Sequence, residues 1–164
     1  MQLYLVQHGA AKSEAEDPQR SLTAEGMKTV ERMAKYLSSL RLQVGRIEHS
    51  GKERARQTAE IMAAHLRPEG DTREVAGISP NDNVGSMRER LQNEAGSLMI
   101  VGHLPYLSRL LSVLLGVHQD RALVTYQMGG VVHLERDDRG EWRLGWILAP
   151  ELLPERDLPH RNAA

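Results

Sequence analysis

Leu3-Tyr4-Leu5-Val6-Gln7-His8-Gly9 is a short, unbroken apolar run that ends on an imidazole and a glycine. An apolar run of this length, without polar alternation, is the pattern of a strand buried on both faces. The same pattern returns in Leu98-Met99-Ile100-Val101-Gly102-His103. Strands buried on both faces need helices above and below them. The sequence between the two runs supplies those helices.

Residues 11–21 are polar, with Asp17-Pro18 in the middle, and read as a loop. Thr23 then reads as an N-cap with Gly26 at N3. Met27, Val30, Met33, Ala34 and Leu37 follow at helical spacing, which predicts a helix up to Leu40. A weaker strand is expected over 44–49, where charged residues interrupt the apolar pattern. A helix over 52–66 follows, with Ala55, Ala59, Met62 and Ala63 on its apolar face. Pro68-Glu69-Gly70-Asp71 ends it. A third strand is expected over 72–78, then a helix capped by Asp82 and carrying Val84, Met87 and Leu91.

After His103, Pro105 suits the first turn of a helix through Leu107, Leu110, Leu111 and Leu114, stopped by Gly116. From Thr125 the pattern changes to a hairpin: 131–135, a turn at Asp137-Asp138-Arg139-Gly140, then 142–148. The fold class is therefore α/β, an open, mostly parallel sheet with helices on both faces and a C-terminal hairpin. One domain is expected over 1–149, followed by an irregular proline-rich tail over 150–164.

Composition narrows the function. The 164 residues fit one α/β domain, and 21 basic against 22 acidic side chains give a net charge of −1. That balance offers no general attraction to nucleic acid or to a membrane surface. The complete lack of cysteine removes disulfide scaffolds, thiolate metal sites and thiol nucleophiles. With no Phe, two Trp and four Tyr, a base-stacking surface is not expected. No signal-peptide core and no membrane-spanning apolar run is visible, so a soluble cytoplasmic protein is expected.

In open α/β sheets, ligands bind beyond the carboxyl ends of the strands. His8 and His103 stand at that edge, each beside a glycine, on the two most apolar strands. One histidine at a strand end is ordinarily a satisfied surface or core residue. Two in matching positions point to a shared site. His49 lies near a strand end too, but in a polar context, and is given no chemistry. A metal would need a third ligand of suitable spacing, and none is evident, so no metal or cofactor is expected. The alternative is covalent catalysis by one imidazole, with the other stabilising charge. Attack on phosphorus would also need a cation. Ser50-Gly51-Lys52-Glu53-Arg54-Ala55-Arg56-Gln57-Thr58 supplies Arg54 in the first turn of a helix, where backbone N–H groups converge.

These stretches resemble the motifs of the histidine phosphatase superfamily, which includes the phosphoglycerate mutases. Its Arg-His-Gly is Gln7-His8-Gly9 here, and its Leu-Thr-x-x-Gly is Leu22-Thr23-Ala24-Glu25-Gly26. Its Ser-x-x-x-Arg-x-x-Gln-Thr is matched by Ser50, Arg54, Gln57 and Thr58, and its Gly-His by Gly102-His103. Within the superfamily the chain is similar to the short phosphohistidine phosphatases of the SixA type. Gly102-His103-Leu104-Pro105, Ile78-Ser79-Pro80-Asn81-Asp82, the loop over 17–23 and the short length carry that likeness.

The resemblance implies a phosphoglycerate mutase-like fold, with His8 as nucleophile, Arg54 as phosphate clamp and His103 on the phosphoryl group in flight. Gln7, Gly9 and Arg20 would line the phosphate pocket. A carboxylate acid is not placed; Asp17, Glu74 and Asp82 are the candidates. A protein substrate is implied, a histidine-phosphorylated phosphotransfer partner, because a short chain has little room for insertions that cover the site. Two departures stand out. Gln7 replaces an arginine, exchanging a charge-assisted hydrogen bond of about 1.5–3 kcal/mol for a neutral one of about 0.5–1.5. Gly51 stands where relatives often have proline. Three functions fit: a phosphohistidine phosphatase, a phosphatase of small phosphate esters, and a phosphate-binding pseudoenzyme weakened at Gln7.

Overall fold

The computed structural model describes residues 1–154; residues 155–164, most of the expected tail, lie outside the described residues. Among the described residues six strands form one sheet: β1 (Gln2–Gln7), β2 (Arg46–His49), β3 (Thr72–Glu74), β4 (Ser97–Gly102), β5 (Val131–Arg136) and β6 (Trp142–Leu148). Their spatial order is β3-β2-β4-β1-β5-β6. The first four are mutually parallel, and β5 and β6 add antiparallel at one side. The two apolar runs that decide the fold class lie side by side at its centre, with Leu3 opposite Leu98 and Gln7 opposite Gly102.

Four helices among the described residues cover the sheet: α1 (Ala24–Ser39), α2 (Glu53–Leu66), α3 (Gly85–Gln92) and α4 (Tyr106–Leu114). Because successive strand residues alternate faces, Leu3, Leu5, Leu98 and Ile100 pack on α3 and α4. Tyr4, Val6, Met99 and Val101 pack on α1 and α2. The chain thus leaves β1 toward one face and β4 toward the other. Such a divergence is the point at which open sheets of this kind bind ligands, and His8 and His103 stand on either side of it.

The α1 N-terminus forms as its sequence predicts: the Thr23 hydroxyl accepts the Gly26 N–H at 2.9 Å. Two expectations differ. β3 ends at Glu74 rather than 78, because the chain turns at Gly77 (φ +82°) and sinks Ile78 into the α3–α4 core. Its apolar residue marks a core anchor, not a strand. Asp82 does not cap α3; its carboxylate accepts the Ser79 N–H at 2.7 Å inside a turn, and the helix begins at Gly85 without a side-chain cap. Of the expected tail, Pro150–Leu152 form a 3-10 turn, and Leu153 packs on the α1–α2 side of the core.

The charged residues that weaken the β2 pattern have a structural explanation. Glu48 is fully buried, yet Arg46, Arg73 and Arg90 all reach its carboxylate. Burial pushes this carboxyl up, and the guanidiniums, Arg90 foremost, outweigh it and hold it below the usual carboxylate range. A carboxylate lowered by folding stabilises above its unfolded pKa, and the effect is lost as pH falls through the folded value. Glu48→Gln should therefore cost about 2–3 kcal/mol near neutral pH, below the full cost of breaking a buried pair because the arginines are partly hydrated. Urea denaturation should show that gap closing in acid; an equal gap at all pH values would remove the ionic explanation.

Candidate functional site

The end of β1 is fixed on both sides before any side chain is considered. The His8 N–H donates to the Gly102 carbonyl of β4 at 3.2 Å. From the approach to β5, the Gly129 N–H donates to the carbonyls of Gln7 and His8, at 2.9 and 3.2 Å. Gly9 sits where α1 crosses: a Cβ there would lie 2.7 Å from Val30 Cγ2 and 3.0 Å from the Gly26 carbonyl. A Cβ on Gly26 would overlap the Ala10 carbonyl. The two glycines thus let the helix pass directly over the chain that leaves His8. From α2, Thr58 Oγ1 accepts the Gly9 N–H at 3.1 Å, and Gln57 Oε1 accepts the Leu22 N–H at 2.7 Å.

Three of the expected side chains meet on this frame. The His8 and His103 rings are 4.9 Å apart between centroids and inclined at 54°. Arg54, on the first turn of α2, donates from Nε to His8 Nε2 at 3.2 Å. On the far side of the ring, His8 Nδ1 lies 2.7 Å from the Gly9 carbonyl. A carbonyl can only accept, so Nδ1 carries the proton and the Nε2 lone pair faces Arg54.

Electrostatics keep both rings neutral. Burial lowers the His8 pKa to about 4; the Gly9 carbonyl works against this, and the charges of Arg54 and Arg20 add to it. His103 is lowered to about 3, first by burial and then by His8, Arg54, Lys52 and Arg20. Two buried imidazoles among cations cannot readily take up protons of their own.

The remaining expected residues are placed as follows. Gln7 is buried, and its Oε1 has no hydrogen-bond partner among the described residues; the same holds for His103 Nδ1. Arg20 is exposed at φ +53° and donates from Nε to the Lys12 carbonyl at 3.2 Å, contributing its charge to the site from the rim. None of the three carboxylate candidates hydrogen-bonds an imidazole. Asp17 is held by Ser21 and Gln19, Asp82 by Ser79, and the Glu74 carboxyl packs on Gly51.

Sequence reasoning missed the role of Ser50, whose hydroxyl is 2.6 Å from His103 Nε2, and that of Thr58 as the tie between α2 and Gly9. Both stand in the matched motif, which was the available signal. Among the described residues no cluster of three or more potential metal ligands is present.

The model of the histidine phosphatase superfamily (branch 1) matches residues 3–76. Phosphohistidine phosphatase SixA of Escherichia coli K12 is 27% identical over 155 residues, covering 92% of this chain and 94% of that protein. An uncharacterised protein of Picosynechococcus is 37% identical over 113 residues, or 64% of this chain and 67% of the relative. The solved structure of the protein histidine phosphatase SixA complexed with tungstate superposes with a TM-score of 0.83. It covers 94% of this chain and 100% of that one at 24% identity, a likeness of fold. The motif spacing, the paired neutral imidazoles and these likenesses agree: the chain belongs to the histidine phosphatase superfamily, with a phosphoglycerate mutase-like fold.

Proposed function

We propose that this phosphatase acts on phosphohistidine in a protein, with His8 as the covalent nucleophile. The observation that carries the reading is the state of the His8 ring: neutral, proton on Nδ1, lone pair on Nε2 beside a guanidinium. Nε2 attacks phosphorus as the substrate's P–N bond breaks. The departing imidazole, protonated on its other nitrogen, leaves neutral with the electron pair of that bond. Phosphorylated His8 keeps its Nδ1 proton, and the Gly9 carbonyl stabilises the positive charge that builds on the ring. Water then attacks phosphorus, the His8 P–N bond breaks, phosphate departs, and a neutral ring returns. Arg54 moves its N–H from Nε2 to a phosphoryl oxygen, and His103 with Gln7, Gly9 and Arg20 completes the pocket. No step calls on a cofactor.

The leaving group separates this reading from ester hydrolysis. An alkoxide needs a proton as it departs; Asp17 and Asp82 are held within their own turns, and Glu74, beside Gly51, hydrogen-bonds neither His8 nor His103. A phosphoramidate has no such need. The likeness to SixA along most of both chains supports the same substrate class, a histidine-phosphorylated phosphotransfer protein. Every residue of the pocket lies within the single domain proposed for 1–149.

Three outcomes test this. In a chelator-containing assay, a phosphohistidine protein should be hydrolysed and simple phosphate esters should not, with His8→Ala at background; preference for esters would overturn the substrate, and an active His8→Ala the nucleophile. Gln7→Arg should raise turnover by about tenfold, the difference between a neutral and a charge-assisted hydrogen bond. An unchanged or lower rate would show a pocket organised around glutamine. A histidine lowered by its site is neutral above its pKa, so NMR should find His8 and His103 unprotonated at pH 6 and protonating toward about 4 and 3. A His8 midpoint near 6.5 would contradict the resting state described.

A further inference from the structure

The Ser50–Gly51 turn joins β2 to α2, and it delivers two groups to the site: the Ser50 hydroxyl on His103 and, three residues past Gly51, Arg54 on His8. The preceding residue, His49, holds this turn. It is the last residue of β2, buried, with its backbone fixed on both sides: it pairs with Val101 of β4 and Glu74 of β3, and its carbonyl accepts the Val75 N–H at 2.9 Å. Its Nδ1 accepts the Gly51 N–H at 3.1 Å. Gly51 stands at φ +76°, and a Cβ there would run into the Glu74 carboxyl. A side chain and a backbone conformation that favours glycine thus close the turn together.

We infer that His49 is a positioning residue: by accepting the Gly51 N–H it sets the turn that places Ser50 against His103 and starts α2 with Arg54 directed at His8. The inference rests on the phosphatase reading above. The bond requires a neutral ring with its proton on Nε2, because an imidazolium Nδ1 would present a second donor to the N–H of Gly51. The charges facing the ring are Glu74 from β3 and Glu60 and Arg56 from α2. Burial dominates over these and lowers the pKa, which keeps the acceptor available.

Three substitutions separate positioning from space filling. His49→Asn places an amide oxygen where Nδ1 is. His49→Gln carries its amide one bond too far, and His49→Leu has no acceptor. With urea midpoints measured to confirm that each variant is folded under assay conditions, kcat on a phosphohistidine protein should stay within about twofold of wild type for Asn. It should fall by about five- to tenfold for Gln and Leu, with KM changing less, because the displaced groups act on the phosphoryl group in flight. Asn as slow as Leu, or Gln and Leu at the wild-type rate, would overturn the inference. Should the wild-type protein not turn over phosphohistidine, the phosphatase reading fails by itself. Calorimetric affinity for orthovanadate, a mimic of the phosphoryl group in flight, then decides the positioning claim: Asn grouped with wild type and Gln and Leu weaker supports it, and equal affinities overturn it.

Discussion

The structure depends at its functional end on one hydrogen bond, from His8 Nδ1 to the carbonyl of the next residue, Gly9, at 2.7 Å. It fixes the tautomer, and the tautomer decides which nitrogen is nucleophilic. For the carbonyl to lie there the chain must turn under α1 with no Cβ at position 9, and the helix must approach with none at 26. The Leu-Thr-x-x-Gly and Gln-Thr motifs are therefore part of the same arrangement. Thr23 starts the helix, Gly26 lets it close on the Ala10 carbonyl, and Thr58 takes the Gly9 N–H. Residues at a distance from the imidazole are thus required to hold it.

Charge is managed locally. The chain is near neutral overall, at −1, so attraction of a phosphoryl group cannot come from a global field. Arg54, Arg20 and Lys52 instead concentrate positive potential on the crevice, and they help keep two buried imidazoles unprotonated. Gln7 removes one charge from that set. Its buried amide still offers a donor, while its oxygen has no partner among the described residues. On the function proposed above, the pocket relies correspondingly more on Arg54, which burial and Arg20 together hold below the usual arginine range.

Much of this was legible in the sequence, for physical reasons. The central strands β1 and β4 are buried on both faces, so they read as unbroken apolar runs. The histidines at their ends were placed by the rule that ligands bind past strand termini. The α1 start was legible because Thr23 caps it through a local bond. Elsewhere the deciding contacts are distant in the chain. The Glu48 charge looked like an interruption of β2 because its arginine partners on β3 and α3 lie 25 and 42 residues away. Ile78 looked like strand, whereas it anchors a turn in the core. Ser50 meets His103 across 53 residues, and His49 acts on a backbone N–H that no pattern of side chains reveals.

The central claim is that His8 Nε2 carries the phosphoryl group during turnover. Rapid-quench trapping with a protein labelled on its phosphohistidine, followed by peptide mapping, tests it most directly. The account predicts an acid-labile, base-stable phosphate on the peptide containing His8, formed and lost at rates compatible with turnover. Label on His103 or Ser50, or full turnover with no phosphorylated enzyme at any time, would contradict it.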